Sequence, residues 1–243
     1  MISAPRPRLS RRAMLFGVAI LIVAGGFGLF HGTAGRRSQE PAMSEHVYSA
    51  SSPRPFRAAR YEVTWAQWKA CYDDGGCSFL PKPGVAGAAG RFPVTGVSAR
   101  DVREYVTWLR QTAGKTYRLP TLAEWNEVAA GAIAAAAPPL FSDPRLAWAA
   151  DYNRTAPVDS KVKESGAFGA TKHGISDVDG NVWEWTATCA VAEFDSESSG
   201  FCPAFVVAGR HETSMSIFVR DPAVGGCAVG VPPANLGFRL VIG

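Results

Sequence analysis

Histidine is scarce in this chain. There are four in 243 residues and no His-x-x-x-His pair, so the helical two-imidazole motif of many metal centres is absent. No basic patch with interleaved aromatics occurs. The formal net charge of +4 includes four arginines near the N-terminus, Arg6, Arg8, Arg11 and Arg12, so it makes no case for nucleic-acid binding. No internal repeat is visible. An EF-hand is excluded as well. In Asp177-Val-Asp-Gly180 the glycine arrives two positions too early for that loop, and no helices flank it. Cysteine is limited to five residues, an odd count that cannot pair completely within the chain.

What is present is an ordinary globular composition, 47% hydrophobic and 19% charged. That length suffices for one domain of about 190 residues plus an appendage. The appendage is the N-terminus. The leader arginines precede an uncharged run from Ala13 to Phe30, a basic region followed by an apolar one. Ser10-Arg11-Arg12-Ala13-Met14-Leu15-Phe16 resembles the twin-arginine export signal, which carries folded cargo. Gly32-Thr33-Ala34 offers small residues for a signal peptidase, so residues 1–34 read as a signal peptide cleaved after Ala34 or as an uncleaved anchor through residues 13–30. Either reading places the domain outside the cytoplasm, periplasmic or extracytoplasmic, with the N-terminal segment as its sole membrane contact. Residues 35–56 are rich in Ser, Pro, Ala and Arg without apolar periodicity and read as a flexible linker, leaving 57–243 as the domain.

Helix signatures crowd the first half of that domain. Thr64-Trp-Ala-Gln67 is a capping box and predicts a helix from Trp65 to about Tyr72. Ser98-Ala-Arg-Asp101 has a similar signature. Val102, Tyr105, Val106 and Leu109 follow it at i, i+3, i+4 and i+7, predicting an amphipathic helix that ends near Gly114. Thr121-Leu-Ala-Glu124 repeats the box, with Trp125, Val128 and Ala129 on one face. The second half holds short strand-like runs, Ala156-Pro-Val, Val182 to Thr186, Phe205 to Ala208 and Phe238 to Ile242, between long Gly-, Ser- and Pro-rich stretches. Loops of that extent are uncommon unless they are functional or pinned by cross-links or metals.

Both kinds of pin are on offer. Cys71 and Cys77 bracket a tight loop, and Cys189 and Cys202 flank a polar one. Pairing 71 with 77 and 189 with 202 is expected in an oxidising compartment, although four cysteines allow three pairings. Cys227 is left over in Val224-Gly-Gly-Cys-Ala-Val, where an inert buried thiol is the default. The stretch from Ile175 to Trp185 supplies Asp177, Asp179, Gly180 and Asn181 in a turn-type cluster, then a strand of Val182, Trp183, Glu184 and Trp185. Alternation sets Glu184 on one face and the two indoles on the other. Two readings stand side by side. One is a hairpin turn feeding a core strand. The other is a calcium site, with Asp177, the Gly180 and Val182 carbonyls and Glu184 as oxygen ligands.

Six blocks, in order, resemble the formylglycine-generating enzyme (sulfatase-modifying factor) family. They are Tyr61-Glu-Val-Thr-Trp65, Pro93-Val94 through Ser98 to Trp108, Tyr117-Arg-Leu-Pro-Thr-Leu-Ala-Glu-Trp125, Phe168-Gly169, Gly180-Asn-Val-Trp-Glu-Trp185 and Asn235-Leu-Gly-Phe-Arg239. The resemblance covers about Tyr61 to Gly243. It implies an α+β, modified C-type-lectin-like fold with few regular elements and long loops. It also implies a calcium site at the positions of Asp177, Gly180, Val182 and Glu184. A second family calcium loop is shortened here to Ala150-Asp-Tyr-Asn-Arg154.

Active members of that family bind copper through two cysteines about five residues apart and oxidise a sulfatase cysteine to formylglycine. The corresponding positions here are Thr213 and Phe218, and Arg210 stands at a family serine. Cu(I) needs thiolate or thioether ligands, which Thr and Phe do not supply, so copper is not expected. His211, Glu212, Met215 and Cys227 fall in the same region, with His211 and Cys227 the candidates for a rebuilt catalytic centre. Three functions follow. The expected one is a calcium-stabilised binding or accessory module whose partner is an exported protein or peptide. The alternative is an oxidoreductase of the sulfatase-modifying type, or one that matures another exported substrate as the pyoverdine-maturation members do, with a rearranged metal site. The third is a membrane-tethered assembly partner.

Overall fold

Three short helices begin where side chains take over the free N–H groups of the backbone. The computed structural model describes residues 40–46, 48, 50, 52, 54–82, 90–133, 161–191, 202–209, 212–220 and 235–243, all within the compact unit Gln39–Gly243. The leader 1–34, the Ala156-Pro-Val strand and the shortened loop 150–154 lie outside the described residues. Helix α1 (Trp65–Asp73) starts at Thr64, whose hydroxyl accepts from the Gln67 N–H while the Gln67 amide oxygen accepts from Thr64 N–H at 2.9 Å. Helix α2 (Ala99–Ala113) does the same with Ser98 and Asp101, and α3 (Leu122–Ala129) with Thr121 and Glu124. Each cap contributes about 1 kcal/mol. Helix α2 stops at Gly114, whose φ of 65° ends the helix in the left-handed region that glycine adopts at no steric cost.

The strands form two small sheets. In the first, β1 (Arg57–Ala58), β7 (Val241–Ile242) and β2 (Tyr117–Arg118) run antiparallel in the order β1-β7-β2. The second has the order β5-β4-β3-β6. It contains β3 (Trp183–Cys189), β4 (Ala204–Ala208), β5 (Thr213–Ser216) and β6 (Leu236–Gly237). Its β3–β6 pair is parallel and the others antiparallel. The result is an α+β fold with few long regular elements.

The C-terminal strand expected over Phe238 to Ile242 is broken. The chain leaves the larger sheet after Gly237 and joins the smaller one at Val241, and between them the backbone accepts bonds from Val63 N–H to Phe238 O (2.9 Å) and Ala59 N–H to Leu240 O (2.8 Å). The switch between sheets drops Phe238, Arg239 and Leu240 into the interior.

Two apolar clusters fill that interior. One collects Trp68, Tyr105, Trp185, Met215, Leu236 and Phe238, with Trp68 stacked on Tyr105 at 5.5 Å. The other gathers Phe56, Trp125, Ile175 and Val241. Within the stretch 35–56, read from the sequence as linker, Tyr48 and Phe56 are buried, stack at 5.3 Å and exchange backbone bonds of 2.8 and 2.9 Å. The Tyr117 hydroxyl donates to Glu40 at 2.8 Å.

Disulfides join Cys71 to Cys77 and Cys189 to Cys202, as expected, with Cα separations of 5.3 and 5.8 Å. The first ties the end of α1 to the loop after it, and the second ties the end of β3 to the chain entering β4. Such cross-links are the chemistry of an oxidising, extracytoplasmic compartment. No helix among the described residues is long and apolar enough to cross a membrane.

Candidate functional site

The turn before β3 is held by its own polar atoms. Asp177 and Asn181 have φ of 65° and 66°, the left-handed region that Asp and Asn tolerate better than other side chains. Asp177 is 1% exposed, and its carboxylate accepts backbone N–H groups of Gly166 (2.5 Å) and Phe168 (2.8 Å), pinning the loop 161–169 to the turn. Gly180 is required by packing: a Cβ there would stand 2.5 Å from the Phe168 ring. Asn181 accepts from Lys163 N–H at 2.9 Å and donates to Glu62 at 3.4 Å. Val182 is buried beside it.

Glu184 sits two residues further on, in the middle of its sheet, opposite Ala208 of β4 and Gly237 of β6. Its side chain and that of Arg239 are each 1% exposed. Arg239 Nε lies 2.7 Å from Glu184 Oε2 and 3.0 Å from Oε1, and its Nη2 lies 2.7 Å from Oε1. The Trp125 indole N–H donates to Oε2 at 2.9 Å. Arg239 also donates to the carbonyls of Ala59 (3.2 Å) and Ser176 (2.9 Å), so the guanidinium ties β3 to two other segments. Trp185, on the opposite face, donates to Val97 O at 2.9 Å. Alternation thus set Trp183 and Trp185 apart from Glu184 correctly, but a third indole, from α3, reaches the carboxylate on its own face.

A further carboxyl joins the group. Glu62 is 1% exposed, and its Oε2 is buried with no hydrogen-bond partner. Burial pushes this carboxyl well above the usual carboxylate range. Arg239 works against that, while the charges of Glu184 and Asp177 add to it. Three buried carboxyls therefore face one buried guanidinium. Sequence reasoning missed Glu62, Trp125 and Arg239 as partners of Glu184. A signal existed for Arg239, since a lone cation inside the apolar run 236–242 must be buried and buried cations are paired.

The region implied for copper is built differently. Thr213 begins β5, its backbone opposite Val207 of β4. Phe218 lies just past the strand and is 65% exposed. Met215 is fully buried in the core, whereas Glu212 is exposed and accepts from Asn126 at 3.3 Å, so the two do not share a site. Arg210, His211 and Cys227 lie outside the described residues. The segment then docks on α2. Arg220 donates to both oxygens of Asp101 at 2.8 and 2.9 Å and lies over the Phe79 ring at 3.7 Å. Burial alone would raise the Asp101 carboxyl, but the bonds from Arg220 and Ser98 hold it below the usual range. Among the described residues no group of three or more His, Cys, Asp or Glu is arranged to hold a metal ion, and the four described cysteines are all in disulfides.

Comparison with known proteins places this geometry in context. A formylglycine-generating enzyme of Thermomonospora curvata is 33% identical over 177 residues, covering 63% of this chain and 52% of that protein. The chain thus spans about half the length of that relative. Among solved structures, PvdO from Pseudomonas aeruginosa superposes with a TM-score of 0.52 at 20% identity, covering 78% of this chain and 80% of that one. CarF gives 0.50 at 18%, covering 84% and 93%. At such identities these are likenesses of fold. The sulfatase-modifying factor enzyme 1-like domain is matched from residue 10 to residue 243, and by that match, across nearly its whole length, the chain belongs to the family of formylglycine-generating enzymes.

Proposed function

We propose that this protein is a calcium-stabilised binding or accessory module of the modified C-type-lectin-like kind, working outside the cytoplasm on an exported protein or peptide, with the copper oxidase chemistry of its family lost. The observation that carries the reading is the pair of side chains at the copper positions, Thr213 and Phe218. Neither is a thiolate, and Phe218 is the most exposed of the large apolar residues described, at 65%. An exposed phenylalanine suits contact with a partner better than retention of a soft metal.

Calcium is supported by charge. The buried carboxylates of Asp177 and Glu184 outnumber the one guanidinium of Arg239, and the neighbouring Glu62 leaves a buried oxygen unpaired. Asp177, the Gly180 and Val182 carbonyls and Glu184 would hold the ion, which supplies a divalent cross-link between turn and strand and no redox chemistry. The protein's own donors already orient both carboxylates: Gly166 and Phe168 N–H hold Asp177, and Arg239 and Trp125 hold Glu184. The two disulfides and the twin-arginine-like leader support export, with the leader as signal or anchor.

The alternative, an oxidoreductase with a centre rebuilt around His211 and Cys227, is supported by the likeness to the Thermomonospora enzyme. One experiment separates them. The full chain is incubated with a Cys-x-Pro-x-Arg peptide, copper, oxygen and a thiol reductant, and the peptide is weighed by mass spectrometry. No aldehyde product is expected. Turnover abolished by Cys227→Ser or His211→Ala would give the oxidoreductase reading first place.

A further inference from the structure

Two of the four histidines, neither of them in the carboxylate cluster or at the copper positions, meet each other. His46 and His173 come from segments far apart in the sequence, and their ring centroids lie 4.5 Å apart with an interplanar angle of 67°. Both backbones are anchored. Ser44, 1% exposed, donates its hydroxyl to the His46 carbonyl at 3.0 Å, and its N–H donates to Ala58 O at 2.7 Å. His173 sits in a turn closed by Gly174 N–H to Thr171 O (2.9 Å), with the Thr171 hydroxyl accepting from His173 N–H at 3.3 Å and Ile175 N–H at 3.2 Å. Arg60 Nε donates to Gly174 O at 3.2 Å and holds that turn to the domain. The Tyr48 ring packs edgewise on His173 at 5.5 Å, and the Tyr48 hydroxyl is buried without a hydrogen-bond partner.

We propose that His46 and His173 form a two-imidazole site for a borderline divalent transition ion, Cu(II) or Zn(II), with water completing the coordination. A metal–nitrogen bond of about 2.0–2.1 Å puts an ion roughly 3.2 Å from each ring centre, so two imidazoles sharing an ion in cis stand about 4.5–5.2 Å apart. The observed separation falls at the near end of that window. Imidazole lone pairs lie in the ring plane; the two rings meet edge to face at 67°, so rotation of the exposed His46 ring has to turn one of its nitrogens toward an ion held by His173. His46 is exposed, and the Tyr48 ring packs edgewise on the His173 ring.

A ligating imidazole must be neutral. The charged groups around the pair are Lys172 next to His173, Arg60 at Gly174 and Glu45 next to His46. Ligand softness separates this site from the turn at Asp177: imidazole suits copper and zinc, whereas calcium takes oxygen. The site is therefore independent of the calcium reading.

Titration of the full chain with Cu(II) in excess calcium tests it, using a competing chromophoric chelator for affinity and electron paramagnetic resonance for ligand type. One saturable Cu(II) with nitrogen couplings from two imidazoles is expected, bound more tightly than Zn(II) at the same site. His46→Gln and His173→Gln should each weaken binding at least about tenfold, and uptake should fall in acid, where protons compete for the imidazole nitrogens. Metal-free melting curves of the His46→Gln variant should match the parent, since that ring is exposed. Absence of a saturable site, full affinity in the double variant, or a loss that follows His31→Ala or His211→Ala instead would overturn the assignment.

Discussion

Replacing Arg239 with methionine tests the arrangement at the centre of the molecule. The guanidinium is 1% exposed and makes close contacts to both oxygens of Glu184 and to the carbonyls of Ala59 and Ser176. Methionine keeps much of the volume and removes every donor. Glu184 would then stay buried with only the Trp125 indole as donor among those contacts, near two other carboxyls. Breaking a buried ion pair by removing one partner costs about 3–5 kcal/mol. Against a total stability of about 5–15 kcal/mol, that is a fifth or more. For a domain of this size each kcal/mol moves the midpoint by about 2–4 °C, so Arg239→Met should melt roughly 6–20 °C below the parent.

The loss should grow with pH. Glu62 has a raised native pKa, so its contribution is full below the unfolded value of about 4.3 and is lost as pH rises toward the native value. Removing Arg239 removes the cation that opposes the shift, so the deficit should be larger at pH 8 than at pH 5. The assay is thermal and urea unfolding, in chelator so that calcium does not contribute. Adding Glu184→Gln to Arg239→Met removes the stranded charge and keeps an acceptor for Trp125, so the double variant should be more stable than Arg239→Met alone. A single-variant loss below about 1 kcal/mol, or a double variant no better than the single, would refute the account.

Calcium should raise the melting temperature of the parent and chelator should lower it, with the difference absent in Asp177→Ala with Glu184→Ala; identical curves with and without chelator would remove the ion from the proposal. Arg220→Ala should cost up to about 1 kcal/mol at neutral pH, because the guanidinium is 48% exposed. Asp101 has a lowered native pKa, so its stabilisation is present above the unfolded value of about 3.9 and lost as pH falls through the native one; the Arg220→Ala deficit should shrink in acid, and a deficit that persists there contradicts the pairing. Alkylation of the exported protein after denaturation without reductant should label Cys227 alone, and two or more labelled cysteines in the mass map would break the pairing of Cys71 with Cys77 and Cys189 with Cys202.

Local chemistry was legible in the chain because it acts over a few residues. The capping boxes at Thr64, Ser98 and Thr121 start their helices where the sequence placed them, since the donor and acceptor of each box are only three residues apart. Both disulfides join nearest-neighbour cysteines, so short loops were enough to suggest them. Thr213 and Phe218 are plain in the sequence too, and no fold can turn either into a thiolate. The break of the C-terminal strand was not legible. A run from Phe238 to Ile242 carries the same strand propensity whether it stays in one sheet or crosses to another, and the crossing depends on partners in β1, β2 and β3. Nor was the burial of Tyr48 and Phe56, because they lack periodicity and pack on one another and on distant elements.

By itself the sequence determined the helix starts, the cross-links and the family motifs, all of them properties of single residues or of neighbours along the chain. Only the tertiary structure decided the surroundings of Glu184. Glu62, Trp125 and Arg239 come from three separate segments; Trp125 and Arg239 reach the carboxylate at hydrogen-bond distance, and Glu62 couples to it through charge where burial leaves little solvent to screen it. The meeting of His46 with His173 has the same origin: no spacing in the chain encodes it, and the packing of two remote turns alone brings the rings to 4.5 Å.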